Sequence, residues 1–434
     1  MGGRAFAQAA AAGQPTLDTP RMSPDEYTTL KAIYLARVQE CFPTAKVACL
    51  TEAPEKEDYG DMDIFVAVSQ KVEFIDLADS VGAAGVISQS SGEHQSCSLA
   101  VPRDGSRSGN RPVVYKPYNG NSNKLAPSAT VTTEEYAQVD IDIVHPDILP
   151  WHAFYYSYGD LAGLIGHTVK HLGFLASDRG LWLRLKELDN AKSLQIQNVA
   201  DKDGRIFLSD DPVQVMRFLG LSPVTYNAGF TTIEELYKWV ATSRFLFAES
   251  VKTDWDNSRD RHRLDKRKLY SGFFKEWLPE RFKDKPTLDE EVRRQRVNEL
   301  REKFKDEAVA LFGKQEEFVA KRDAIVRKVQ HALATSCLKP LIAQHSKQSD
   351  TRKLAEIVRA FRRHVVFSPS GQPYASETPH TDAESQLYRF LADDGNTLED
   401  PQGTGAWVEE HWEELKLLQK QVDGHGSGHG QVEA

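Results

Sequence analysis

The stretch KEDYGDMDIFVAV, residues 56–68, sets Asp61 and Asp63 two apart at the mouth of an apolar run, directly after a tyrosine–glycine pair. A second pair, Asp140 and Asp142 in QVDIDIV, repeats that spacing inside another apolar run. In a β-strand, residues two apart project from the same face. Carboxylates held side by side repel one another, and a shared divalent cation removes the repulsion. Mg2+ suits such hard oxygen donors and fills its remaining positions with water and substrate phosphates. If the two strands are neighbours, three or four carboxylates converge on one point, as a two-metal phosphoryl-transfer site requires. A calcium loop fits less well, because DMDIFV lacks the alternating oxygen ligands, the central glycine and the closing glutamate. On the residues alone, two solvated strand ends remain an open alternative.

The elements that must position these carboxylates follow from periodicity. Ser23 with Pro24 behind it marks a helix start, and the spacing of Tyr27, Leu30, Ile33, Tyr34 and Val38 carries that helix to about Phe42. KVACLTEA and DMDIFVAV are expected as strands joined by the polar PEKEDYG, LADSVGAAGVIS as a helix, and SCSLAVP, RPVVYKPY and YAQVDIDIVHP as further strands. Residues 151–172 are expected to form one long helix or a helix pair, and GLWLRLKEL another strand. Helices dominate beyond that point. DDPVQVMRFL has an Asp cap with proline just inside, and TTIEELYKWVATSRF opens on a Thr/Glu capping box. Residues 288–334 carry sustained helical spacing with interleaved charges, which predicts a helical hairpin or coiled-coil-like appendage and a possible protein-partner surface.

The whole chain bounds these expectations. Its 434 residues suffice for two or three domains. A hydrophobic content of 40% with 27% charged residues is that of a soluble globular protein, and a net charge of −9 opposes wholesale coating by nucleic acid. Four dispersed cysteines suggest reduced thiols in an intracellular protein, cytoplasmic or nuclear. No apolar run approaches the roughly 20 residues needed to cross a bilayer, so no membrane partner is expected.

YGDMDIFVAV resembles the G-D-x-D strand of the nucleotidyltransferase superfamily, especially of the polymerase beta-like (family X) DNA polymerases, and AQVDIDIVHP looks like the strand that carries their third metal-site carboxylate. HAFYYSYGDLAGLIGHTVKHLGFLASDRGLWLRL is similar to the palm segment that follows, and FTTIEELYKWVATSRFLFAES to the small thumb helix. The resemblance covers roughly residues 46–250. It implies an α+β fold, a nucleotidyltransferase palm with a mixed β-sheet flanked by helices, followed by a mostly helical C-terminal region. It also implies Asp61, Asp63 and Asp140 as catalytic metal ligands for two Mg2+ ions, with Mn2+ as a substitute, and an NTP as substrate. Asp142 has no required counterpart. Where the superfamily has Gly-Ser before its acidic strand, this chain has Leu50 and Thr51. Nucleotide contacts are therefore expected from Thr51, Lys56 and Gly60, and from Tyr158 and Gly159 in the aromatic turn.

The expected organisation is a flexible leader (1–22), a palm-like domain (23–200), a thumb-like helical subdomain with a basic segment (201–285), a helical C-terminal region (286–420) and a disordered tail (421–434). In the basic segment NSRDRHRLDKRKLYSGFF, Arg259, Arg261, Arg263 and Lys266 are interleaved with aromatics, a pattern that suits nucleic-acid or phosphate contact. The expected activity is metal-dependent transfer of a nucleoside monophosphate from an NTP to a hydroxyl on an RNA or DNA 3′ end, a protein or a small molecule. The alternative is a catalytically degenerate member of the same fold that binds a nucleotide or a partner.

Overall fold

The computed structural model describes residues 3–91, 94–117, 135–196, 200–247, 258–284, 288–381, 384–392 and 397–426, excepting the side chains of 258–260 and 424–426. The chain is α+β: a mixed six-stranded sheet with helices, then a largely helical C-terminal region. It divides into two compact units, one of residues 1–183 with 207–308, the other of 184–206 with 309–434. These boundaries differ from the expected breaks at 200 and 285, because the chain leaves the first unit and returns to it.

In the first unit, α1 (Ala5–Ala11), α2 (Pro24–Cys41), β1 (Lys46–Cys49), β2 (Met62–Ala67), α3 (Phe74–Val81), β3 (Gly85–Ser91), β4 (His94–Pro102), β5 (Val113–Tyr115) and β6 (Tyr136–Val144) build the sheet layer. Strand order is β1-β2-β6-β4-β3-β5. β2 runs parallel to β6, and their antiparallel neighbours are β1 and β4. Helices α4 (Leu149–Tyr156) and α5 (Leu161–Lys170) follow as a pair, then the hairpin β7 (Phe174–Ser177) and β8 (Gly180–Arg184). β9 (Arg205–Ser209), α7 (Pro212–Leu219), α8 (Pro223–Ala228), α9 (Ile233–Val240), α10 (Ser258–Lys266), α11 (Lys268–Ser271), α12 (Leu278–Phe282) and most of α13 (Glu290–Leu311) complete this part of the chain.

Period-2 alternation decides what each sheet face meets. Met62, Ile64 and Val66 of β2, with Ala137, Val139, Ile141 and Ile143 of β6, point to one face and are buried beneath Tyr27, Leu30, Tyr34 and Val38 of α2 and Leu77 and Val81 of α3. α2 begins as its sequence predicts: Ser23 and Glu26 form a reciprocal capping box with Pro24 in the first turn. The helix expected over LADSVGAAGVIS is shorter, since Gly82 ends α3 in the left-handed conformation and the apolar GVIS enters β3. Likewise GLWLRLKEL is strand only through Arg184, and its KEL opens α6 (Lys186–Ser193).

The opposite sheet face is covered at its two ends. At one end Phe6 and Leu17 pack with Ile87, Ala100, Tyr115 and Tyr136; at the other, Leu149 packs with Phe65, Ala67 and Val144. The segment expected as a flexible leader is thus part of the unit. Phe6 and Ala9 are fully buried, and Asp18 bridges Glu135 in parallel while Met22 bridges Tyr59. Short apolar residues spread among alanines hid that role, since neither shows a periodicity long enough to register.

In the second unit, α6, α14 (Gln315–His345), α15 (Thr351–His364), the hairpin β10 (Val365–Phe367) with β11 (Pro373–Ala375), and α16 (Pro401–Gly426) are the main elements. Its core joins Leu338 and Ile342 of α14, Ile357 and Phe361 of α15, and Val408 and Leu415 of α16. The expected helical hairpin over 288–334 is two helices, α13 and α14, with the unit boundary after Ala308. Of the expected tail, residues 427–434 lie outside the described residues. No helix among the described residues is long and apolar enough to cross a membrane.

Candidate metal centre

The parallel pairing of β2 with β6 sets Asp63 directly beside Asp140. Asp61 stands one residue before β2, and its carboxylate joins theirs: one oxygen from each of Asp61, Asp63 and Asp140 lies within 4.8 Å of the others. Gln138, Asp140 and Asp142 share one face of β6; Gln138 is buried, and Asp140 and Asp142 are half-buried between the apolar cluster under α1 and the one under α4. Strand register therefore brings the Asp63 and Asp140 carboxyls together, and Asp61, just before β2, adds a third.

Electrostatics record the cost. Burial, with repulsion from Asp61 and then Asp140, pushes the Asp63 carboxyl up to about 8. Burial raises Asp140 to about 7, although Ser98, its partner across β4, and Gln138 hydrogen-bond the carboxylate and oppose the shift. Asp142 is also raised by burial, against the pull of His94, whose ring nitrogen stands 3.7 Å away. The group of Asp61, Asp63 and Asp140 could hold a metal ion, since a cation would cancel the repulsion that burial amplifies.

The supporting contacts come partly from the amino-terminal segment. The Gly3 N–H donates to Asp61 Oδ2 at 2.8 Å, and the Ala5 N–H donates to Gln138 Oε1 at 3.1 Å. Gln138 Nε2 in turn donates to both Asp140 oxygens, at 2.9 and 3.1 Å. Gly3 has φ +76°, and a Cβ there would fall on the Gly60 carbonyl, so glycine is required both by the backbone and by the close approach. The polar alternation Gln138–Asp140–Asp142 was the sequence signal for Gln138. Gly3 had no local signal, because only the fold brings it to Asp61.

The expected nucleotide contacts are distributed unevenly. Thr51, Lys56, Gly60 and Gly159 line a cleft of about 390 Å3 together with Asp61, Asp63 and Asp142. Thr51 donates its N–H to Ser157 Oγ at 3.1 Å and accepts the Tyr158 N–H at 2.6 Å, so its backbone is occupied within the protein. Lys56 is held 2.5 Å from Glu52, which also accepts the Tyr27 hydroxyl at 2.7 Å. Tyr158 does not line the cleft. Its backbone is left-handed (φ 57°), and its ring is 4% exposed, edge-on to Tyr226 and Phe230. Tyr156, 41% exposed, is the aromatic that lines it instead.

A second cleft of about 800 Å3 adjoins the first, sharing Tyr156, Gly159 and Arg267 and adding Tyr155, His262 and Arg263. α10 thus brings part of the basic segment beside the carboxylates. Arg263 lines this cleft, whereas Arg261 and Lys266 line neither, and the side chain of Arg259 lies outside the described residues. Arg267, next in the same basic segment, borders both clefts and stands 3.5 Å from Asp160. The protein is therefore an α+β chain with a partly buried aspartate triad on a parallel strand pair and a cationic, aromatic wall beside it. The chain matches no protein-family model and no curated protein.

Proposed function

We propose that this protein is a metal-dependent nucleotidyltransferase, moving a nucleoside monophosphate from an NTP to a hydroxyl acceptor. The observation that carries the reading is the convergence of Asp61, Asp63 and Asp140 within 4.8 Å. The donor set is all carboxylate, which fits Mg2+ or Mn2+ and not a soft-ligand metal. The resemblance of YGDMDIFVAV and AQVDIDIVHP to the acidic strands of polymerase beta-like enzymes supports the same assignment. Two Mg2+ ions bound there would activate the attacking hydroxyl and neutralise charge on the triphosphate.

The chain's own residues do the rest. The ladder between β2 and β6 fixes Asp63 and Asp140, Gln138 and Ser98 orient Asp140, and the Gly3 amide orients Asp61. Arg21, Lys56 and Arg267 line the cleft and are the cations there to meet a triphosphate, and the exposed face of Tyr156 offers a base about 1–3 kcal/mol of stacking. One observation favours a second reading, a nucleotide- or partner-binding protein without transferase activity: Leu50 is buried, and the Leu50 and Thr51 N–H groups, which stand where the superfamily has Gly-Ser, already donate to the Asp63 carbonyl at 3.4 Å and to Ser157 Oγ at 3.1 Å.

Purified protein incubated with Mg2+, labelled NTPs and RNA, DNA and protein acceptors should transfer label. Asp61→Ala with Asp63→Ala should lower the rate by at least about 10²–10³-fold, the scale for losing key transition-state electrostatics. NTP-dependent thermal stabilisation without transfer under any condition would establish the binding reading instead.

A further inference from the structure

The second unit contains a cleft of about 400 Å3 lined by Arg359, Arg362, Arg363, Pro379, His380 and Thr381. α15 carries five cations, Arg352, Lys353, Arg359, Arg362 and Arg363, against one carboxylate, Glu356. Other charged helices pair their opposite charges within a turn, as Arg293 with Glu290, Lys305 with Glu302 and Lys321 with Glu317. On α15, Arg352, Lys353, Arg359, Arg363 and Glu356 make no ion pair among the described residues. Arg359 and Arg363 lie one turn apart on one face, and Arg352 lies two turns before Arg359 on that same side.

The cleft wall is fixed. The His380 N–H donates to the Arg363 carbonyl at 2.6 Å, and the Ser376 N–H donates to the His364 carbonyl at 2.7 Å, so residues 376–380 are tied to the end of α15. Two described carboxylates lie in sequence near it: Glu377, exposed, within residues 376–380, and Glu384, which is occupied by the Thr381 N–H and hydroxyl at 2.9 and 2.8 Å. Helix-dipole stabilisation explains cations in the last turn, such as Arg362 and Arg363. It does not explain Arg352 and Lys353, which sit in the first turn, where the dipole disfavours positive charge. The stripe from Arg352 to Arg363 spans about 16 Å at helical rise. That exceeds a single phosphate or pyrophosphate and suits a row of phosphates; guanidinium forks bind each of them in bidentate fashion.

We propose that this face of α15 binds the phosphodiester backbone of a nucleic-acid strand, with the Arg359–Arg362–Arg363 cleft seating one phosphate. The inference does not depend on the carboxylate site and is tested without it. Binding of labelled single-stranded RNA and DNA oligonucleotides to the full chain is measured over a salt series, in EDTA and without NTP. Each lost phosphate contact on a single strand reduces the slope of log K against log salt by about 0.7. Arg359→Gln with Arg363→Gln should therefore flatten the slope by about 1.4, Arg352→Gln with Lys353→Gln should flatten it further, and Arg359→Lys with Arg363→Lys should preserve it. Circular dichroism and Tm of each variant establish that the fold persists. An unchanged slope in both neutralised variants, or a lowered Tm with binding intact, would overturn the proposal. So would absence of oligonucleotide binding together with Arg359- and Arg363-dependent binding of pyrophosphate, which would assign the cleft to a small phosphate compound.

Discussion

The aspartate cleft of the first unit and the arginine face of the second both crowd like charges, but by different means. Strand register sets the Asp63 and Asp140 carboxyls side by side, and with Asp61 they are partly buried, one oxygen of each within 4.8 Å of the others. The arginines stand on a surface helix where water and salt screen them and long side chains can separate. Crowding that the backbone enforces under burial stores repulsion in the fold. Crowding on an exposed helix stores little, and its consequence is seen only in what it attracts. A cation should therefore change the stability of the first region, while ionic strength should govern binding at the second.

The sharpest way to break that contrast is Asp63→Asn. It keeps the shape, removes the carboxyl that burial and its neighbours push up to about 8, and by relieving that cost should raise the Tm of the metal-free protein at pH 7 by several degrees while erasing stabilisation by Mg2+. For the unaltered protein, Mg2+ at about 100 times its Kd should contribute about 2.7 kcal/mol. Thermal melts with and without Mg2+ measure both effects; a lower Tm for the variant in EDTA would mean the carboxylates are not mutually strained.

A smaller effect is expected from the groups that orient the triad. Gln138→Leu removes the amide that grips Asp140 and leaves the Ala5 N–H without its acceptor, and should weaken Mg2+ or Mn2+ binding about 10–100-fold, the usual loss for a partner behind a metal ligand. Gly3→Ala should shift metal affinity in the same direction, because its Cβ displaces the amide from Asp61. Manganese titration followed by electron paramagnetic resonance reads both. Unaltered affinity in both variants would reduce the amino-terminal segment to packing alone.

The least effect belongs to an exposed charge network outside both regions. Glu26 is held at about 2, first by Arg103 and then by the Ser23 backbone and hydroxyl. A depressed carboxylate stabilises the fold fully above its ordinary value of 4.5 and loses that contribution as pH falls from there towards 2. Arg103→Ala should flatten this acid limb of the stability curve and leave stability above pH 7 little changed in its pH dependence, as followed by urea melts across pH.

Some features of the site could be read from the chain and others could not, for physical reasons. The D-x-D spacing identifies same-face carboxylates wherever a strand forms, and the polar residue two before Asp140 follows the same rule. The aromatic turn was harder. FYYSYGD offers three tyrosines, and which ring reaches the cleft depends on the left-handed backbone at Tyr158, which turns that ring into the core and leaves Tyr156 exposed. The leader was misread because its packing depends on partners far along the chain, Ile87, Ala100 and Tyr136 among them.

Local pattern by itself therefore determined the helix caps at Ser23, Asp211 and Thr232, the two acidic strands and the faces their carboxylates share, because capping and alternation act over a few residues. Only the tertiary structure decided that β2 and β6 are neighbours in the register that sets Asp63 beside Asp140, that Gly3 reaches Asp61, and that Arg267 borders the same cleft. Those contacts span dozens to hundreds of residues, and their geometry is fixed by the shared burial of apolar faces, which no short stretch of sequence contains.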